Sequence, residues 1–162
     1  MKISKAFKCY SPPQQQKCFS INEIGCGYGA LYKFLKDSKY KFKCIGYDIS
    51  QEMLSVASEY TNNEAVLINS DKITHKAEYS VTSGIFNAKF HYGDQEWLEY
   101  ILKVLHNMNE MSSKGFSFNM LTNFVDYRDP NYFFDYARKN FSRRVVLLHD
   151  YNLWEWTILV RK

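Results

Sequence analysis

A chain of 162 residues, 46% of them apolar, can bury one sizeable core and is too short for two independent domains. Its 21 Lys and Arg against 17 Asp and Glu leave a net charge of +4. The lysines are scattered except over residues 33–43 and the arginines cluster only at Arg143 and Arg144, so solvated faces account for this charge and a nucleic-acid footprint does not.

No 18-residue apolar run and no signal peptide occurs, which predicts a soluble, unexported, cytoplasmic protein without a membrane partner. Cys9, Cys18, Cys26 and Cys44 lack C-x-x-C spacing, so reduced thiols are expected, with neither a disulfide framework nor a metal site. Aromatic residues reach 17%, with 13 Tyr and 12 Phe, a surplus that suits the lining of a ligand pocket.

Residues 1–17 are polar and broken by Pro12 and Pro13, and are expected to form an N-terminal arm ahead of a single domain over 18–162. Residues 21–29, INEIGCGYG, then read as a strand that breaks into Gly25, Gly27 and Gly29 and opens a helix. Three glycines at a strand end suit positive φ and close ligand approach, and such a loop is expected to offer free N–H groups. Ala30, Leu31, Phe34 and Leu35 continue with helical spacing to Asp37.

The next strand, residues 43–49 (KCIGYDI), carries Asp48 about 20 residues after the glycines, where a ribose-binding carboxylate belongs. Ser50 is a natural N-cap, Glu52 suits the helix dipole, and Met53, Val56, Ala57 and Tyr60 form one apolar stripe. A short strand over 64–69 follows; residues 70–76 are too few for a crossover helix, so one helix is expected to be reduced to a turn.

A fourth strand over 78–83 ends at Gly84 and leads into an aromatic loop, 85–93. Asp94 is expected to cap the longest helix, with Trp97 or Leu98, Ile101, Leu105 and Met108 as its stripe. A fifth strand spans 115–121, and Asp129-Pro130 starts a helix to about Asn140. Residues 145–148 and 154–160 should pair as an antiparallel hairpin. The pattern predicts an α/β fold with a doubly wound, mostly parallel sheet, and no internal repeat is present.

Gly25, Gly27 and Ala30 fit the dinucleotide pattern G-x-G-x-x-G/A, whereas Glu23 and Gly29 fit E/D-x-G-x-G-x-G. With YDISQEML, YSVTSGIFN, FSFNML and HDYNLWEWTI following in order, the chain from about Phe19 onward resembles the class I S-adenosylmethionine-dependent methyltransferases, in particular small bacterial-type members. The resemblance implies a Rossmann-like seven-stranded sheet of order 3-2-1-4-5-7-6, S-adenosyl-L-methionine as cofactor and methyltransferase activity. It also implies that Asp48 takes both ribose hydroxyls and that Glu23 sits below the methionine moiety. By the same resemblance Gly25, Cys26 and Gly27 approach the methionine portion through main chain with Tyr28 nearby. Ile49 and Met53 then flank the adenine, Asp71 meets its amino group, and Ser83 ends the fourth strand at the switch point.

The TSGIFN block differs from the (D/N/S)-P-P-(Y/F/W) tetrad of amino-methylating nucleic-acid enzymes and lacks the Pro-Cys of cytosine-C5 enzymes, so a small-molecule acceptor is expected. Ser11-Pro12-Pro13-Gln14 is no such tetrad, because Gln14 is not aromatic and lies too close to the glycine loop. The acceptor should meet Phe86, Asn87, His91 and Tyr92 after strand four, Asn123, Asp126 and Tyr127 after strand five, and His149, Asp150 and Tyr151 at the hairpin, a lining that suits an uncharged or weakly polar molecule.

A general base is needed only for a hydroxyl or protonated amine, and His91 and His149 are its candidates; His75 and His106 read as surface residues. Two other functions compete. A nicotinamide-dependent oxidoreductase is disfavoured by Glu23 and Gly29, and no Tyr-x-x-x-Lys proton relay is expected. A non-catalytic S-adenosylmethionine-binding accessory module is favoured by the short arm.

Overall fold

The computed structural model describes residues 18–122 and 129–162. The expected arm over 1–17, and Asn123, Asp126 and Tyr127, lie outside the described residues. Seven strands form one sheet of order β3-β2-β1-β4-β5-β7-β6. They are β1 Phe19–Ile24, β2 Phe42–Asp48, β3 Val66–Asn69, β4 Ala77–Thr82, β5 Ser112–Leu121, β6 Arg144–Leu148 and β7 Glu155–Arg161. The first five neighbours in that order run parallel; β7 is antiparallel to both β5 and β6. The expected hairpin and strand order are therefore both present.

Among the described residues four α-helices cover the sheet: α1 Ala30–Asp37, α2 Gln51–Tyr60, α3 Asp94–Met111 and α4 Pro130–Asn140. On one face Leu31 and Leu35 of α1 pack with Ile21, Cys44 and Val81. On the other, α3 and α4 bury Ile101, Leu105, Met108, Phe133 and Ala137 against Phe116, Phe118, Trp156 and Ile158. Phe118, Phe133 and Trp156 are mutually in ring contact, with centroids 5.7–6.1 Å apart.

Several local signals operate as read. Ser50 Oγ accepts the Met53 N–H at 3.1 Å, and Asp129 Oδ1 accepts the Asn131 N–H at 2.9 Å with Pro130 opening the helix. Asp94, however, is the first helical residue and caps nothing; it pairs with Lys89 instead, and Gly93 occupies the cap. In α2 the buried residues are Leu54 and Ala57, while Met53, Val56 and Tyr60 of the expected stripe are 36%, 50% and 46% exposed. The helix is turned by its contact with the glycine loop: a Cβ on Gly29 would lie 3.0 Å from Thr61 Cγ2 and 3.6 Å from Ala57 Cβ.

No helix joins β3 to β4. Asn107 of α3 does the work a crossover helix would do, accepting the Ile73 N–H at 2.8 Å and donating to the Ile73 carbonyl at 3.1 Å. Ile73 is thereby inserted in the core. Among the described residues no helix is long and apolar enough to cross a membrane.

Candidate active site

The site grows from the carboxyl end of β1. Gly25, Gly27 and Gly29 all have positive φ, at 71°, 52° and 84°. Gly25 has a second reason to lack a side chain, since a Cβ there would lie 2.0 Å from Ile85 Cγ2. Four of the loop's N–H groups are engaged within the protein, where free ones were expected. Gly25 and Cys26 both donate to the Tyr47 carbonyl (2.7 and 3.0 Å), Gly27 donates to Asp48 Oδ2 (2.8 Å) and Gly29 to the Cys26 carbonyl (3.0 Å). The loop is thus knitted to the end of β2.

Asp48 is the knot. Its Oδ1 accepts the Ser50 N–H at 3.0 Å while Oδ2 holds Gly27, which fixes the carboxylate at the mouth of the crevice with lone pairs to spare. Beside it stand two exposed apolar side chains, Ile49 at 76% and Met53 at 36%. The Met53 methyl lies 3.6 Å from where a Gly27 Cβ would be. Tyr28 is half exposed and meets Tyr60 edge-on at 5.4 Å.

Glu23 is buried one residue before the strand end, and among the described residues no donor hydrogen-bonds its carboxylate. Burial pushes that carboxyl up to about 8, and the Asp48 charge adds to the rise. Burial, then Glu23 and Asp48, likewise push the Cys26 thiol up to about 12, and Cys44 moves the same way. These groups share one neighbourhood that favours a cation.

On the far side of the switch point, Ser83 is half-buried and Gly84 donates to Asn119 Oδ1 at 3.0 Å. Phe86, expected to face the acceptor, is instead fully buried in edge contact with Phe118, because the 3-10 turn Ile85–Asn87 drives it into the core. Asn87 is also committed: its Oδ1 accepts the Leu121 N–H at 2.9 Å, tying this loop to the end of β5. His91 is exposed and begins a ladder of near-parallel rings, His91, Tyr92, Trp97 and Tyr100, at successive centroid distances of 5.0, 6.0 and 5.0 Å. Asp71 is exposed beyond β3 and faces the end of that ladder, where burial first, then Asp71 and Tyr92, raise the Tyr100 hydroxyl.

At the hairpin, His149 is exposed with Nε2 3.1 Å from Thr122 Oγ1, and Asp150 is exposed next to it. The Tyr151 hydroxyl folds back to Thr157 Oγ1 at 2.7 Å. His75, read as a surface residue, is exposed but its Nδ1 lies 3.2 Å from the Tyr47 hydroxyl.

Two buried polar residues beside the switch point carry no motif, Asn119 at the carboxyl end of β5 and Glu155 at the start of β7, joined by Asn119 Nδ2 donating to Glu155 Oε2 at 3.0 Å. The signal that finds them is polar residues at alternate positions, Ser117 and Asn119 in FSFNML, Glu155 and Thr157 in WEWTI. A Tyr-x-x-x-Lys spacing does occur, at Tyr32 and Lys36, against expectation. Both bond Glu64 on the outer side of α1 (3.3 and 2.7 Å), which removes them from the crevice.

A mostly parallel sheet with a glycine loop and a strand-end carboxylate beside its switch point is the arrangement with which doubly wound folds bind nucleoside-bearing cofactors. Residues 21–112, over half the chain, match the family described as methyltransferase domain. A Mycobacterium tuberculosis protein named as a candidate methyltransferase is 43% identical over 155 residues, 89% of this chain and 93% of that one. Magnesium protoporphyrin IX methyltransferase from Synechocystis PCC 6803, solved with bound SAM, superposes with a TM-score of 0.68 at 14% identity, over 91% of this chain and 72% of that one. The plantazolicin methyltransferase BpumL, solved with SAH and a plantazolicin analogue, gives 0.62 at 13% identity, over 89% and 77%. The chain belongs to the methyltransferase domain family and has the class I S-adenosylmethionine-dependent methyltransferase fold.

Proposed function

We propose that this enzyme transfers the methyl group of S-adenosylmethionine to a small-molecule acceptor, with residues 18–162 as the one catalytic unit. The observation that carries the donor half is the pair of carboxylates on consecutive strands: Asp48, held by two main-chain N–H groups, and Glu23, buried with no hydrogen-bond donor to its carboxylate among the described residues. The first suits a pair of ribose hydroxyls, the second an ammonium group, and the exposed Ile49 and Met53 suit the two faces of an adenine. Asp71 would meet the adenine edge, and Gly25, Cys26, Gly27, Tyr28 and Ser83 would close around the methionine portion.

Once bound, S-adenosylmethionine supplies a methyl on a sulfonium, already electrophilic. The protein's part is to bind, align the acceptor and keep water out. The glycine loop, bonded to the Tyr47 carbonyl and the Asp48 carboxylate, would serve the first. Tyr92, Tyr151 and the exposed end of the hairpin would bound the acceptor, and His149 or His91 could hold its proton if it is a hydroxyl or amine.

The small-molecule reading rests on the TSGIFN segment after β4, which carries neither a base-gripping tetrad nor a Pro-Cys nucleophile. The structural relatives differ in acceptor, a porphyrin in one and a plantazolicin analogue in another, so the fold itself does not choose. The test is incubation with methyl-tritiated S-adenosylmethionine and separate metabolite, RNA and protein fractions of the source cell. Label should enter the metabolite fraction; label confined to RNA or protein refutes the small-molecule assignment.

A further inference from the structure

The strand register places a row of polar side chains on the sheet face that carries α1. Glu23 is level with Val81, Val81 with Ser117, and Ser117 with Leu159; one step toward the carboxyl edge, Asn119 is level with Thr157. Since side chains alternate along a strand, Glu23, Ser117, Asn119, Thr157 and Glu155 all project from this face. β1 and β5 are two strands apart and Asn119 lies two residues beyond the level of Glu23, so the two positions are about 12 Å apart at the usual spacings of about 4.8 Å between strands and about 3.3 Å per residue.

Asn119 is only 5% exposed and its amide is fixed in one orientation, Oδ1 on the Gly84 N–H and Nδ2 on Glu155. It links the turn after β4 to the start of β7, the two segments between which an acceptor would lie. Burying an amide and a carboxylate is costly where apolar residues would pack, and the opposite faces of β5 and β7 show the apolar solution with Phe116, Phe118, Trp156 and Ile158. After its two bonds the Asn119 amide retains one N–H and one lone pair.

Building on the donor reading above, we propose that Asn119, with the Glu155 carboxylate it orients, is a specificity-determining pair on the acceptor side, selecting acceptors that present an N–H or O–H group to the crevice. Tyr151, whose hydroxyl meets Thr157 in the same row, closes the pair's outer side. This names the acceptor's chemistry more narrowly than an uncharged or weakly polar molecule. The pair positions the acceptor and takes no part in breaking the sulfur–methyl bond.

The probes are S-adenosylhomocysteine and sinefungin, the analogue that carries an amine where the methyl projects; both are titrated by calorimetry. The unaltered protein should bind sinefungin at least tenfold more tightly than S-adenosylhomocysteine. Glu155→Gln, which keeps an oxygen for Asn119, and Asn119→Ala should each cut that preference at least tenfold while S-adenosylhomocysteine affinity stays within about threefold. Equal affinities in the unaltered protein, or a preference that survives both substitutions, overturn the inference. A variant that no longer folds reveals itself by losing S-adenosylhomocysteine as well, and the ratio in the unaltered protein then decides. If the unaltered protein binds sinefungin and S-adenosylhomocysteine not at all, the donor reading itself fails.

Discussion

The carboxylate of Asp48, at the end of β2, accepts the main-chain N–H of Gly27 from the neighbouring strand's loop at 2.8 Å. One residue thus shapes the loop and, in the function proposed above, also holds the cofactor's ribose, so the two roles are separable only by choosing the substitution. Asp48→Ala should weaken S-adenosylhomocysteine binding on the order of a hundredfold, from two charge-assisted bonds at about 1.5 kcal/mol each. It should also cost about 1–3 kcal/mol of stability, because the Gly27 and Ser50 N–H groups lose their acceptor. An unchanged Kd by calorimetry would remove Asp48 from the cofactor site.

Gly25→Ala tests the loop from its other end. A methyl there meets Ile85 Cγ2 at 2.0 Å and forces a side chain into positive φ, so a loss of about 2 kcal/mol or more in urea unfolding is expected. The double variant with Ile85→Ala should recover the steric part of the Gly25 penalty. Equal penalties with and without Ile85 would show that the contact is not the constraint.

Glu23 sets a pH dependence whose sign can be worked out. Its carboxyl rises from an ordinary 4.5 to about 8 in the folded protein, by burial first and Asp48 second. Across that window the folded state keeps a proton the unfolded chain has released, so this contribution is full below the lower value and is lost as pH rises through the upper one. The free protein's melting temperature should therefore fall from about pH 5 to about pH 9 more steeply than that of Glu23→Gln. Parallel curves would mean that Glu23 does not titrate in this window.

Much of this was legible in the sequence, for identifiable reasons. INEIGCGYG and KCIGYDI are local signals, in which glycine spacing, a strand and a terminal carboxylate lie within a few residues of one another, and the structure bonds them together. The Asp129-Pro130 and Ser50 caps are equally local. What failed depended on tertiary context. The α2 stripe turned outward because Ala57 and Thr61 are drawn against Gly29, and Phe86 went into the core because a 3-10 turn reverses a loop that reads as exposed aromatics. The Asn119–Glu155 link joins residues 36 apart in sequence, and only the β5–β7 register brings them to one face.

The missing crossover helix has its own test. Asn107 holds both the N–H and the carbonyl of Ile73, so Asn107→Ala should destabilise by about 2 kcal/mol, roughly 1 for each bond. Asn107→Asp keeps the acceptor and should recover about half. A loss below about 0.5 kcal/mol would show that the β3–β4 segment is held elsewhere.

The central claim, that the crevice at the β1–β4 switch point holds S-adenosylmethionine, is tested most directly by thermal unfolding with S-adenosylhomocysteine and NAD in parallel. At a hundredfold excess over Kd, S-adenosylhomocysteine should add about 2.7 kcal/mol, or roughly 5 to 10 °C for a chain of this size, and NAD should add nothing. A shift with NAD and none with S-adenosylhomocysteine would contradict the account.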